Sequence, residues 1–219
     1  MPAGRRIGVW SLAAVVVALA VSAAAWADNY TYRLNAADQA VARATVLRRG
    51  DLGKAPWKGG PVKPDTSAVT CANYHPKLAD LVVTGDAESD FKDGDVLVFD
   101  SQVSILQTAQ MVRLDWHRSI ETPGALSCLR SHVASAVGGR LISAQRLAFP
   151  HVATFTAAFR VVFDVITSGE TIRYFVDAVA LAKDRTEITL TTTAPFGARG
   201  PVDAAEVRLA RLLASRIHE

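Results

Sequence analysis

The stretch "VATFTAAFRVVFDVI", Val152 to Ile166, decides the fold. Within it Ala153, Phe155, Ala157, Phe159, Val161, Phe163 and Val165 place an apolar side chain at every second position. Successive side chains of a strand point to opposite faces, so this period of two reads as a strand packed on a core. "TSGE" turns the chain into "TIRYFVDAVALA", and "KDR" turns that into "TEITLTTT". Turns this short join antiparallel neighbours, because parallel strands need a crossover of about a dozen residues or more.

Outward from this meander, "RLISAQRLAF" (140–149) reads as the strand before it. Further upstream, "LVVTGDAESDF" (81–91) and "VLVFDSQVSIL" (96–106) flank "KDGD". Asp-Gly between two alternating runs is a strong hairpin signal, and Leu97, Phe99, Val103 and Ile105 share one face of the second strand. Between hairpin and meander, Ala109, Val112, Trp116 and Ile120 recur at helical spacing. Thr122-Pro123 restarts a second helix with Leu126, Leu129, Val133 and Val137 on its apolar stripe, ended by Gly138-Gly139.

At the ends, Asn35 to Arg49 predicts a helix capped by Asn35, with Ala37, Val41, Ala44 and Leu47 on its buried face and Gly50 and Gly53 stopping it. "GKAPWKGGPVKPD" (53–65) reads as a loop whose Trp57 plugs the core edge. Pro201 opens a final helix to about His218, burying Leu209, Leu212, Leu213 and Ile217, with Arg208, Arg211 and Arg216 on its solvated side. The expected order is α-β-β-α-α-β-β-β-β-α. That is an α+β fold, an antiparallel meandering sheet of about six strands packed with helices.

The N-terminus sets the compartment. Arg5 and Arg6 precede an uncharged run, Ile7 to Ala27, that ends in "AWA" (25–27). Positive residues, an apolar run and a small-x-small site form a secretory signal, so residues 1–27 read as a signal peptide and 28–219 as one extracytoplasmic domain. The alternative is an uncleaved anchor, since residues 7–27 are long enough to tether the protein in a membrane. With the two leader arginines set aside, the formal charge of +3 falls to +1. No basic stripe with interleaved aromatics is present, which argues against nucleic acid. Cys71 and Cys128 are the two cysteines. In an exported chain they are expected to pair, and closing a loop of about 57 residues stabilises by roughly 4 kcal/mol on the chain-entropy model. Two free buried thiols are the alternative.

The sequence carries little catalytic chemistry. The acids Asp86, Glu88, Asp90, Asp93 and Asp95 alternate through "DAESDFKDGD". Counted from Asp86, however, the sixth and twelfth positions of a calcium loop are Phe91 and Leu97 rather than Gly and Glu. The acids therefore read as the solvated face and turn of a hairpin. His75, His117, His132, His151 and His218 form no HExxH or other close ligand pair, so no metal is expected. In "LDWHRS" (114–119), each residue turns a helix by about 100°, so Asp115 and His117 do not face each other and read as helix surface. GxSxG, GxxxxGK[ST] and GxGxxG are all missing, so no cofactor and no catalytic residue is assigned. Tyr74 and His75 in "CANYHPK" (71–77), a loop tethered by Cys71, are candidate binding residues. Arg173 and Tyr174 are a second, fainter pair.

Three features together resemble a known family: the first helix running into "RRGDLG" (48–53) near Trp57, the hairpin, helices, meander and last helix in that order, and the cysteine pair. Over Asn35 to Glu219 the layout resembles actinobacterial exported proteins of the LpqN lipoprotein type and the extracellular sensor domain of PknH-type Ser/Thr kinases. Both have PsbP-like α/β sandwich folds. The resemblance implies a ligand-binding or sensing role outside the membrane. This chain has no lipobox cysteine and no kinase domain, so neither the anchor nor the signalling output carries over, and no family binding residue can be placed on it.

The expectation is thus a non-enzymatic protein, secreted or in the cell envelope, that binds a small molecule or a cell-envelope protein. A membrane-anchored interaction module and an enzyme with an unrecognised site are the alternatives. N-terminal sequencing of exported protein should read from Asp28; a start at or before Ile7 would instead establish the retained anchor.

Overall fold

The Val152–Ile166 stretch forms the strand its alternation demands, but it is buried on both sides. All eight residues from Ala157 to Asp164 are buried, the odd and the even positions alike. The computed structural model describes residues 29–66, 71, 74–94, 96–167 and 169–217. Its elements run β1 (Thr31–Tyr32), α1 (Ala36–Thr45), β2 (Lys58–Val62), β3 (Val82–Asp93), β4 (Leu97–Leu106), α2 (Ala109–Asp115), α3 (Gly124–Val137), β5 (Arg140–Arg146), β6 (Phe155–Thr167), β7 (Glu170–Lys183), β8 (Thr186–Pro195) and α4 (Arg199–Ser215). The signal peptide or anchor expected at 1–27 lies outside the described residues.

The strands form one sheet in the order β1-β3-β4-β8-β7-β6-β5, with β2 also on β3. Every pairing is antiparallel except the short β1–β3 contact. The fold is therefore mixed α/β with a mostly antiparallel sheet, of eight strands where about six were expected. The two extra strands share the free edge of β3, β1 against Val82–Val83 and β2 against Glu88–Lys92. Sequence reading took the β2 segment for a loop because it is "KGGPV". Proline lacks the N–H of an inner ladder but is tolerated at a sheet edge, which is where Pro61 lies.

Helices cover both faces. On one face Ala158, Val162, Phe175, Val179, Leu181, Ile188 and Leu190 pack with Ala42 of α1 and Val202, Leu209 and Leu213 of α4. On the other, Ala157, Phe159, Val161, Phe163 and Val176 pack with Val112, Trp116, Leu129, Val133 and Val137. Each fully buried side chain of this size contributes roughly 1.5–3 kcal/mol, so the two cores stabilise the sheet from both sides. As expected, Leu97, Phe99, Val103 and Ile105 share a face, and Trp57 is buried against Phe99 with ring centroids 5.6 Å apart.

Two helices differ from expectation. Asn35 does cap α1, accepting from the Asp38 amide, but the helix ends at Thr45 and buries Ala42 and Thr45. Of the expected stripe, Leu47 is buried just past the helix end, whereas Ala37, Val41 and Ala44 are exposed. The reason is close approach: a Cβ on Gly85 of β3 would lie 2.4 Å from the Asp38 carbonyl oxygen, so the helix backbone rests on a glycine and needs no large apolar side chains there. At the C-terminus Arg216 is half-buried rather than on the solvated side. It donates to Asp51 Oδ1 at 2.6 Å and to the Val46 carbonyl at 3.0 Å, tying α4 to the "RRGDLG" turn.

The cysteines form the expected disulfide, Cys71 to Cys128 with Cα atoms 5.5 Å apart. It fastens the chain that leaves β2, at the β3 edge, to α3, which packs on β5 and β6. Replacing both cysteines by serine should lower the unfolding free energy by about 4 kcal/mol, read by urea denaturation. A loss of under about 1 kcal/mol would mean the link constrains little of the unfolded chain.

Candidate functional site

The face of the sheet that carries α2 and α3 is apolar under α3 and acidic beyond it. Cross-strand register sets Asp90 beside Asp100, Glu88 beside Gln102 and Asp86 beside Ser104 on β3 and β4. On β8, Thr191 faces Asp100, Thr189 faces Gln102 and Glu187 faces Ser104. Alternation puts all these side chains on one face. The expectation of a solvated acidic face fails at its centre: Asp86, Glu88 and Asp100 are 6%, 4% and 3% exposed, while Asp90 and Asp93 are half-buried and Asp95 lies outside the described residues. Helices, the Asp65 segment and the edge strands close over what sequence alone presents as a polar strand face. The Asp65 amide, for example, donates to Glu88 Oε2 at 3.1 Å.

At one end of this face α2 runs into a π-helical turn, Trp116–Ile120, where the Glu121 amide reaches the Trp116 carbonyl at 3.1 Å. Such turns are frequent at functional sites because the extra residue re-aims the side chains around it. Here Asp115, Trp116 and Ser119 turn inward while His117 stays on the surface, pairing with Glu121 at 3.0 Å. Asp115 is 3% exposed, so the expectation of helix surface holds for His117 and fails for Asp115. Its carboxylate accepts from Tyr30 Oη at 2.5 Å and Ser119 Oγ at 2.6 Å.

These groups border a cavity of about 50 Å³, room for a few water-sized groups. Tyr30, Gln102, Ser104, Asp115, Ser119 and Glu187 supply its polar lining, and Trp116, Ile120, Ala180 and Ile188 its apolar side. Burial, then the charge of Asp115 and the hydrogen bond they share, hold the Glu187 carboxyl well above the usual carboxylate range. Burial likewise raises the Tyr30 hydroxyl, with the charges of Asp115 and Glu187 adding to it. Behind the cavity wall, Gln102 Nε2 and Ser104 Oγ lie 3.5 and 3.4 Å from Asp86 Oδ1. Glu88 and Asp100 are both raised, chiefly by burial and further by neighbouring acids.

A second polar cluster lies on the opposite face. Arg160, 5% exposed, donates to Asp177 from Nε at 2.7 Å and to Asp203 Oδ1 at 2.6 Å, and its guanidinium stacks 4.4 Å from the Phe175 ring centroid. Glu206 completes the cluster, its carboxyl pushed up to about 9 by burial and then by the Asp177 charge. Asp177, Asp203 and Glu206 are, among the described residues, the acids whose oxygens converge within 4.8 Å. A guanidinium already bonds two of them, so the group reads as the ionic fastening of α4 to β6 and β7 rather than as a metal centre. Glu206 escaped the sequence reading because it sits among the arginines of α4.

The residues singled out from sequence do not converge. Tyr74 is buried, and its hydroxyl donates to the Ser119 carbonyl at 2.7 Å, so it supports the π turn from behind. His75 is exposed. Arg173 lies on the face opposite the cavity, donating to Asp164 at 2.8 and 3.2 Å beside an open groove lined by Pro195 and Phe196. Tyr174 points to the other face and stacks on Phe163, with centroids 6.1 Å apart. None of the four lines the cavity.

Asp86 gives the acidic face a pH signature. Burial pushes its carboxyl up to about 7 from 3.8, helped by the charge of Glu88 and opposed by the hydrogen bonds from Gln102 and Ser104. Between those two values the folded state holds a proton that the unfolded chain has released, so stability falls as pH rises through that window. Asp86→Asn keeps the acceptor and removes the charge. Each pH unit between the two values is worth roughly 1.4 kcal/mol, so the variant should stabilise the fold at pH 8 by about 1–4 kcal/mol and change little at pH 4. Urea denaturation at both pH values checks this, and an equal effect at both would remove Asp86 as the cause.

Compared with known proteins, the chain matches no family model, and no curated protein is similar enough in sequence to count as a relative.

Proposed function

We propose that this protein is an exported, non-enzymatic binding domain that works outside the cytoplasmic membrane and receives a small ligand in the cavity beneath the Trp116–Ile120 turn. The observation that carries the reading is the cavity wall. It joins an apolar side, from Trp116 to Ile188, to a convergent set of polar groups, the buried Gln102, Ser104 and Asp115 and the half-buried Tyr30. Ligand sites characteristically combine an apolar lining with a few placed polar groups. The π turn that borders the cavity is braced from behind by the Tyr74 hydroxyl on the Ser119 carbonyl, which holds its inward-facing side chains in place.

The compartment rests on the disulfide and on the leader signal of residues 1–27. Disulfides persist in oxidising spaces, and among the described residues no helix is long and apolar enough to cross a membrane. The LpqN and PknH-type sensor resemblance belongs to the same reading. A sheet covered by helices on both faces, with a disulfide across one of them, is compatible with a PsbP-like sandwich and a sensing role.

The test is a fragment screen by two-dimensional NMR on the purified domain. Hits should perturb the Trp116 indole and the amides of Tyr30 and Ser119 together. Hits that map to the Arg173–Phe196 groove instead, or a failure of every fragment to move these three residues, would refute the cavity as the site.

A further inference from the structure

The cavity wall carries more acceptors than donors. Among the described residues, seven buried side-chain oxygens lack a hydrogen-bond partner, and five of them lie on the acidic face: Asp86 Oδ2, Asp90 Oδ1, Asp100 Oδ2, Gln102 Oε1 and Thr191 Oγ1. Gln102 is the informative member. It is 2% exposed, its amide nitrogen is spent on Asp86, and its free oxygen belongs to a residue that lines the cavity. A buried acceptor left without a donor costs roughly 1–3 kcal/mol, so this wall favours an occupant that brings N–H groups.

Charge points the same way. Among the described residues, ion pairs reach neither Asp86, Glu88 and Asp100 nor Asp115 and Glu187; on this face the acids meet a cation only at the rim, where Lys92 lies 3.3 Å from Asp90. Among the described residues, the cavity lining contains no Lys, Arg or His. Two aromatic residues, Tyr30 and Trp116, are among its lining, and aromatic rings are the side chains that attract ammonium groups. A bare metal ion fits less well. The three-acid convergence that would hold one lies on the opposite face, at Asp177, Asp203 and Glu206, where Arg160 is already bonded.

We propose that the cavity binds the ammonium head of a small organic amine, with Asp115 and Gln102 Oε1 accepting its N–H groups and Trp116 and Ala180 packing against its first carbons. This deepens the preceding reading and rests on it. A volume of about 50 Å³ admits an ammonium and one or two carbons, so selectivity for a short primary amine over a bulky one follows from size.

The experiment is calorimetry and thermal shift on the disulfide-bonded domain with methylammonium and ethylammonium. Ethanol serves as the neutral probe, acetate as the anionic one and calcium chloride as the metal. The two amines should bind and raise the melting temperature, and the other three should not. Asp115→Asn should weaken amine binding at least tenfold. Ala180→Leu, which adds bulk from the apolar side of the cavity and leaves Asp115 and Gln102 in place, should abolish it and guards against a folding defect in the first variant. Binding of ethanol or acetate, lost in Ala180→Leu, would keep the cavity as a site and overturn the amine. Amine binding that survives Ala180→Leu, or calcium binding in preference to the amines, would overturn the proposal, the former by removing the cavity itself from the account. No binding by any probe would overturn it as well.

Discussion

A sheet covered on both faces has no side left for water, and every carboxyl group placed within it must find a cation, a set of donors or a proton. That constraint organises this molecule. β6 and β7 are buried on odd and even positions alike, and the same holds for much of β3, β4 and β8. The sequence nevertheless sets acids into these strands on both faces. An isolated buried carboxylate costs several kcal/mol, so the two faces must each compensate for theirs.

They do so differently. On the face under α1 and α4, guanidinium groups compensate: Arg160 holds Asp177 and Asp203 beside a protonated Glu206 and packs its plane on Phe175, and Arg140 and Arg173 hold Asp164. That face is electrostatically closed and serves to fasten α4. On the face under α2 and α3, among the described residues, no cation pairs with the buried acids. Asp86, Glu88, Asp100 and Glu187 are compensated by protons and by neighbouring hydroxyl and amide groups, and acceptors remain in surplus. A face balanced by protons is one that an outside cation can rebalance, which is why the binding reading settles on it. The disulfide belongs to the same side, joining the segment after β2 to α3.

The parts of this arrangement set by local pattern were legible in the sequence. The strict alternation from Ala153 to Val165, the Asp-Gly hairpin, the break at Thr122 and the stop at Gly138 each express a short-range rule, and each element formed where that rule put it. What escaped depends on distant chain. Nothing in "TGDAESD" says that a helix, a strap and two edge strands will bury its acids, so alternation was read as solvent on one side. Asp115 followed the same course, since a π turn is invisible to a spacing argument built on 3.6 residues per turn. β2 was hidden by its Gly-Gly-Pro composition, and Arg216 by the assumption that arginines on a terminal helix face water. Tyr74, tethered beside Cys71, is bonded to the back of the π turn, a contact with distant chain that no local pattern in "CANYHPK" encodes.

Carbon-13 NMR titration of the side-chain carboxyls tests the central claim most directly, because it reads the proton on each acid rather than its consequences. If buried acids on these strands are held by protons, the carboxyl carbon of Asp86 will titrate at about 7 and that of Glu206 at about 9, with Glu187 and Asp100 still protonated when ordinary surface acids have ionised. If instead every Asp and Glu carbon titrates below about 5, as exposed carboxyls do, the acids are solvated and the account of this sheet is wrong.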